Sequence, residues 1–163
     1  MFQFFCITPK PTVVVYQRMP NICFNTVSII GHKEDLDLFE EHKLSFQHFH
    51  PRPKDQEGNW YEWNCANWGT KWDYDPDTYT VKGRDTNFLR VTFETAWAPP
   101  FKFLEHLLKS YPRCWIKLEF WIEDNDEGVW IAFMKDGKLQ EKGLGWQVPE
   151  ARLTTSGEIL IPE

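Results

Sequence analysis

The chain has 163 residues, 42% of them hydrophobic and 26% charged, which suits one folded domain with its own core and argues against wholesale disorder. Its formal net charge is −6, and the first twenty residues hold only Lys10 and Arg18 with no acid, so the remainder is more acidic still. An acidic body repels phosphate backbones and anionic membranes; this disfavours generic nucleic-acid coating and leaves docking onto a basic protein, or mimicry of a nucleic acid, open.

Residues 1–18 differ from the rest. Three apolar clusters are broken by Pro9 and Pro11, and the start lacks the basic region and small-residue cleavage site of a signal peptide. The stretch reads as an N-terminal extension: either an upstream start ahead of Met19, or an edge strand formed by TVVVY. From Asn25 to Ile30 the β-branched density predicts a half-buried strand, with Val27 and Ile29 on one face and Thr26 and Ser28 on the other. KEDLDLFEEHK (33–43) predicts a helix with acids in its first turn and Leu36, Phe39 and Lys43 on one stripe. LSFQHFHPRPKDQEG (44–58) reads as a loop or irregular strand, broken by Pro51, Pro53 and Gly58.

NWYEWNCANWG (59–69) predicts a short helix. Trp60, Trp63, Asn64, Asn67 and Trp68 share one stripe, and Gly69 stands where a closing glycine of positive φ belongs. TKWDY (70–74) is expected to leave as a strand, DPD to turn, and TYTVKG (78–83) to extend or pair with it. NFLRVTFETAW (87–97) alternates, with Leu89, Val91 and Phe93 inward and Arg90, Thr92 and Glu94 outward. APP breaks it, and Pro100 suits the start of a helix over 101–111 carrying Phe101, Leu104, Leu107, Leu108 and Tyr111 on its buried side. CWIKLEFWIE (114–123) is a strand with Ile116, Leu118, Phe120 and Ile122 inward and Trp115, Lys117, Glu119 and Trp121 outward. Its outward tryptophans are expected to meet the C-terminal hairpin or another subunit. NDEG is expected to turn the chain into VWIAFMK, and Asp136-Gly137 signals a hairpin into KLQEKGLGW. The residues from 148 to 163 read as a polar tail.

Strands alternating with helices in the order βαββαβ predict an α+β fold: a ferredoxin-like sandwich over residues 19–147, with an inserted Trp-rich helix and an extra C-terminal β-hairpin. No uncharged apolar run reaches the length of a membrane span.

Three blocks carry a resemblance. MPNICFNTVSI (19–29), NWYEWNCANWGTKWD (59–73) and FETAWAPP (93–100) resemble, in order and spacing, the signature blocks of the YubB-type ferredoxin-like proteins of bacteriophages, plasmids and related mobile elements. The resemblance spans about residues 19–134. The eighteen residues before Met19 and the stretch after Gly143 lie outside it. It implies the fold and a genetic context, and no mechanism.

The same blocks hold the candidate site. Trp68, Lys71, Trp72 and Asp73, with Trp97, could line a pocket in which indoles stack on a base or sugar and Lys71 meets an anionic group, helped by the N-terminus of the helix after Pro100. The structural alternative makes the block a helix-to-strand joint. Asn67 would then satisfy turn carbonyls, Gly69 would supply a positive φ, and Lys71 and Asp73 would pair along the strand edge. Trp97 with Pro99 and Pro100 would make a rigid corner.

His48 and His50 flank Phe49 with His42 nearby, but no pattern completes a metal site, and no metal or cofactor is expected. Cys6, Cys23, Cys65 and Cys114 form no CxxC and read as buried, reduced thiols of a cytosolic protein. No nucleophile elbow, phosphate loop or metalloprotease motif is present, so catalysis is not expected. The outward residues of 87–97 also lack the RNA-binding aromatics found on this topology.

The leading expectation is a non-catalytic protein of a virus or mobile element that works in the host cytoplasm through a protein partner or self-association, modulating a host factor. Its alternatives are a minor virion or assembly protein, and a small-ligand or nucleotide binder at the Trp/Lys71 pocket. Recovery in purified particles would mark the virion protein.

Overall fold

The computed structural model describes residues 21–123 and 126–145 and, beyond them, the backbone of 152–153 and 159–160. The expectations for residues 1–18 therefore lie outside the described residues. β1 (Ile22–Ile30) is the central strand, with Val27 and Ile29 fully buried. α1 (Lys33–Glu41) follows, with Glu34 and Asp35 in its first turn and Leu36 and Phe39 buried. Lys43 does not join that stripe. Lys43 and Leu44 both have positive φ (51° and 53°), which ends the helix and turns Lys43 to solvent while Leu44 is buried.

The stretch expected to be a loop or irregular strand contains a four-residue helix, α2 (Phe46–Phe49), and a 3₁₀ segment over Lys54–Asn59. α3 (Trp60–Asn67) comes next, and a 3₁₀ turn at Pro76–Thr78 is started by the Asp75 side chain accepting from the Asp77 amide. β2 (Thr80–Asp85) and β3 (Phe88–Ala96) form a hairpin, α4 (Phe101–Ser110) crosses back, and β4 (Trp115–Ile122), β5 (Asp126–Lys135) and β6 (Lys138–Gly145) complete the main sheet. Asp136 (φ 50°) and Gly137 (φ 72°) supply the paired positive φ that a two-residue hairpin turn needs.

The sheet runs β2-β3-β1-β4-β5-β6 and every pairing is antiparallel. Its first four strands with α1 and α4 are the ferredoxin-like unit; β5 and β6 extend it past β4. The C-terminal hairpin therefore lies beside β4 in the same sheet and does not cover its outward tryptophans. Within the stretch read as a polar tail, two short strands, β7 (Arg152–Leu153) and β8 (Ile159–Leu160), pair antiparallel.

The core lies between the sheet and the helices. Phe46 on α2 is its hub: fully buried, stacked on Phe103 of α4 at 4.2 Å between centroids, and edge-on to Trp68, Tyr74 and Phe93. A side chain of that size contributes about 1.5–3 kcal/mol by leaving water, which explains how so short a helix is held. Arg84 on β2 pairs with Asp37 and Glu40, clamping α1 to the sheet edge.

Candidate functional site

The NWGTKWD segment (67–73) is built around Asn64, which is 1% exposed. Its Oδ1 accepts from Arg52 Nη1 at 2.9 Å and its Nδ2 donates to the Lys71 carbonyl at 2.8 Å. Its own carbonyl takes the amides of Trp68 and Gly69. Asn67 Nδ2 donates to the Trp63 carbonyl at 2.8 Å, and Gly69 has φ +83°. The α3 stripe does not pack as one face: Trp68 is buried, but Trp60 is 39% exposed.

Residues 70–74 form no strand. Thr70 Oγ1 donates to the Trp72 carbonyl at 2.7 Å and bends the chain. Lys71 and Asp73 are not paired either. Asp73 instead turns to α2, accepting from Ser45 Oγ (2.9 Å) and from the amides of Phe46 and Gln47 (both 3.1 Å).

Lys71 goes the other way. Its ammonium lies 4.6 Å from the Trp72 ring centroid and 4.7 Å from that of Trp97, the range of a cation–π contact. Trp97 is held at φ 71°, a left-handed conformation rare for a bulky residue, and its amide donates to the Asn21 carbonyl at 2.8 Å. The corner after it is fixed by Thr95, whose Oγ1 donates to the Ala98 carbonyl (2.8 Å) and accepts from buried Asn25 Nδ2 (2.9 Å); Pro99 and Pro100 are buried. Trp72 and Trp97 stay 39% and 43% exposed, and Tyr61 meets Trp97 edge-on at 6.2 Å.

Of the five proposed ligand residues, Lys71, Trp72 and Trp97 converge. Trp68 does not: it is 2% exposed, with its indole Nε1 donating to the His50 carbonyl at 2.9 Å. Asp73 is committed to α2. Tyr61 escaped the sequence reading because it falls off the helical stripe; Trp60, which was placed on that stripe, packs beside it. The N-terminus of α4 is no open anion site, because the Phe103 amide donates to the Trp68 carbonyl and Gly69 packs against the amides of Phe101 and Lys102.

A second exposed surface lies on the sheet face opposite the helices. Phe24 and Trp121, neighbours across β1 and β4, stack at 4.9 Å and 24° and remain 37% and 46% exposed. They line a shallow depression of about 210 Å³ with Thr26, Phe120 and Val129. Ile30 and Phe133 are exposed as well. On this face Arg90 and Lys117 share one carboxylate, that of Glu119, at 3.1 Å each.

The histidines are not spread along an extended strand. His48 stacks on His42 (3.7 Å) and His50 on His106 (3.6 Å), and no group of three or more metal-ligating side chains occurs among the described residues. Burial pushes the Cys23 thiol up to about 12 and that of Cys114 to about 11, so both are protonated near neutral pH.

A six-stranded antiparallel sheet with helices packed on one face defines the class: a ferredoxin-like α+β domain. Within it, residues 67–145 match the family model described as the ferredoxin-like domain in Api92-like protein, a match that opens on NWGTKWD and ends with β6. No curated protein matches the chain, and no solved structure does. No helix among the described residues is long and apolar enough to cross a membrane.

Proposed function

We propose that this is a non-catalytic interaction protein of a virus or mobile element, of the YubB type, acting in the host cytoplasm by binding another protein and so modulating a host factor. The exposed stack of Phe24 on Trp121, set among Ile30 and Phe133, supports this reading. Clustered exposed aromatics are costly to leave in water and are enriched at interface centres. The net charge of −6 suits a basic partner. The test is affinity capture from carrier cells with mass spectrometry. The reading expects one stoichiometric host protein, lost with the F24S/W121S double variant. Equal capture by that variant, or no partner at all, would overturn it.

A second reading, a small anionic ligand bound at Lys71, rests on one observation: the contacts of the Lys71 ammonium among the described residues are the two indole faces, so its N–H donors are available. Nucleotides should then quench tryptophan fluorescence, and K71A should abolish the effect while the fold is kept. Absence of quenching by any nucleotide would sink it.

A further inference from the structure

A second concave surface lies where α4 crosses the β5–β6 hairpin. It is a cleft of about 400 Å³, lined by Phe101, Lys102 and Glu105 of α4, by Trp130 of β5, and by Glu141 and Gly143 of β6. Phe101 and Trp130 form its apolar floor, with ring centroids 5.7 Å apart at 61°. Three charges stand around that floor. Lys102 Nζ pairs with Glu105 at 3.1 Å, so those two largely cancel. Glu141 is different. Its Oε2 accepts from the indole Nε1 of buried Trp130 at 2.9 Å, and no cation lies within ion-pair distance of it among the described residues. The carboxylate is thus held in place by a neutral donor, with no cation partner among the described residues and with Oε1 available.

Gly143 keeps the cleft open. It is the register partner of Trp130 on β6, and a Cβ built there meets nothing within 4 Å. A larger residue at this position would project over the floor.

We infer that this cleft is the receptor for a basic side chain, lysine or arginine, presented by a partner protein. The chemistry matches at both ends. The aliphatic stem of such a residue packs on Phe101 while its charged head stays at the polar rim. The head meets Glu141, which is exposed and has no cation partner among the described residues, so the two can form a charge-assisted hydrogen bond. The cleft is open to solvent, which suits a side chain arriving from another surface. The inference rests on the protein-binding reading and adds to it the chemistry that the partner must present.

The test follows the Trp130 indole N–H by ¹⁵N–¹H correlation, assigned by its loss in W130F, during titration with acetyl-Gly-Arg-Gly-amide and acetyl-Gly-Lys-Gly-amide. Acetyl-Gly-Gly-Gly-amide is the control. The expected result is a saturable shift with the basic peptides alone, weakened at least tenfold in E141Q. That variant keeps an oxygen to accept from Trp130 and loses only the charge. G143L, which plugs the cleft from the other strand, should abolish the shift with the fold retained. No shift with either basic peptide, or the same affinity in E141Q, overturns the assignment. Should the peptides fail while a partner is still captured through Phe24 and Trp121, the cleft loses its role and the protein-binding reading stands. Should the peptides bind at Trp130 while no partner is captured, the cleft's affinity for basic side chains stands, but the protein-binding reading and the partner role built on it fall.

Discussion

Asp73 caps a helix that begins far upstream of it at Phe46: its Oδ1 accepts the Phe46 amide at 3.1 Å, while its Oδ2 takes the amide of Gln47 and the hydroxyl of Ser45. An N-cap is ordinarily supplied by the residue before the helix; here Ser45 does part of that work and a remote carboxylate does the rest. Because Phe46 is the hub of the core, the cap reaches well beyond one turn. D73A should lower stability by about 2 kcal/mol, seen as a reduced urea midpoint. An unchanged midpoint would show that Ser45 alone suffices.

Gly69 gives a second test of the same joint. Its φ of +83° lies in the left-handed region, and the nearest backbone atoms to a Cβ there are 3.4–3.5 Å away, at the start of α4. G69A should therefore cost about 1–2 kcal/mol, mostly from backbone strain. The expected signature is a lower denaturation midpoint with an unchanged m-value.

The His50–His106 stack should make the fold acid-sensitive. Burial holds both imidazoles below the usual value; for His50 the neighbouring His106 adds to this, while for His106 a hydrogen bond with the Phe49 backbone works the other way and Lys109 adds to the lowering. His50 Nδ1 is buried without a hydrogen-bond partner. In the unfolded chain both rings take up protons as pH falls through about 6.5; in the folded chain they resist until lower pH. The unfolded state then binds more protons, so stability falls as pH drops below about 6.5 and levels off once the folded rings are protonated as well. Urea melts at pH 7.5 and 5.5 should show this loss, and H106L should reduce it. An identical pH dependence in H106L would dissociate the stack from the effect.

The Phe24–Trp121 stack is expected to matter little for folding. Aromatic pairs add about 0.5–1.5 kcal/mol beyond area burial, and both rings are more than a third exposed. A double-mutant cycle with F24S and W121S should give a coupling within that range. It should also give a more soluble protein. A coupling well above it would mean that the face serves stability more than binding.

β1, β3, β4 and the long helices were legible because their periodicity is unmixed; β2 does not alternate, and it pairs with β3 rather than with residues 70–74. Leu89, Val91 and Phe93 alternate with polar residues in β3, and Asp136-Gly137 marks the β5–β6 hairpin because such a pair tolerates positive φ. Three features were hidden. Residues 70–74 alternate like a strand, yet Thr70 bonds the carbonyl two residues on and Asp73 is drawn away by the α2 amides, so no edge remains to pair. α2 is too short for periodicity to register; only Ser45, at its N-cap, announces it. Lys43 overshoots its helix because the chain turns left-handed there. At the site, Lys71, Trp72 and Trp97 were found through their motifs. The cleft was not, because Glu141 and Trp130 come together across a hairpin register rather than within a motif.

β1 has a consequence for how the chain is made. It emerges from the ribosome ahead of every other strand of the main sheet, yet Ile30 must wait for Phe88 before one of its edges is paired and for Trp115 before the other is. At ordinary synthesis rates of about 5–20 residues per second, the interval lasts several seconds, with Val27 and Ile29 uncovered and both edges available to other nascent chains. Sheet assembly from such distant pairings is slow. The central strand is thus also the most exposed intermediate, and the yield of folded protein should depend on chaperones that shield short apolar segments during translation.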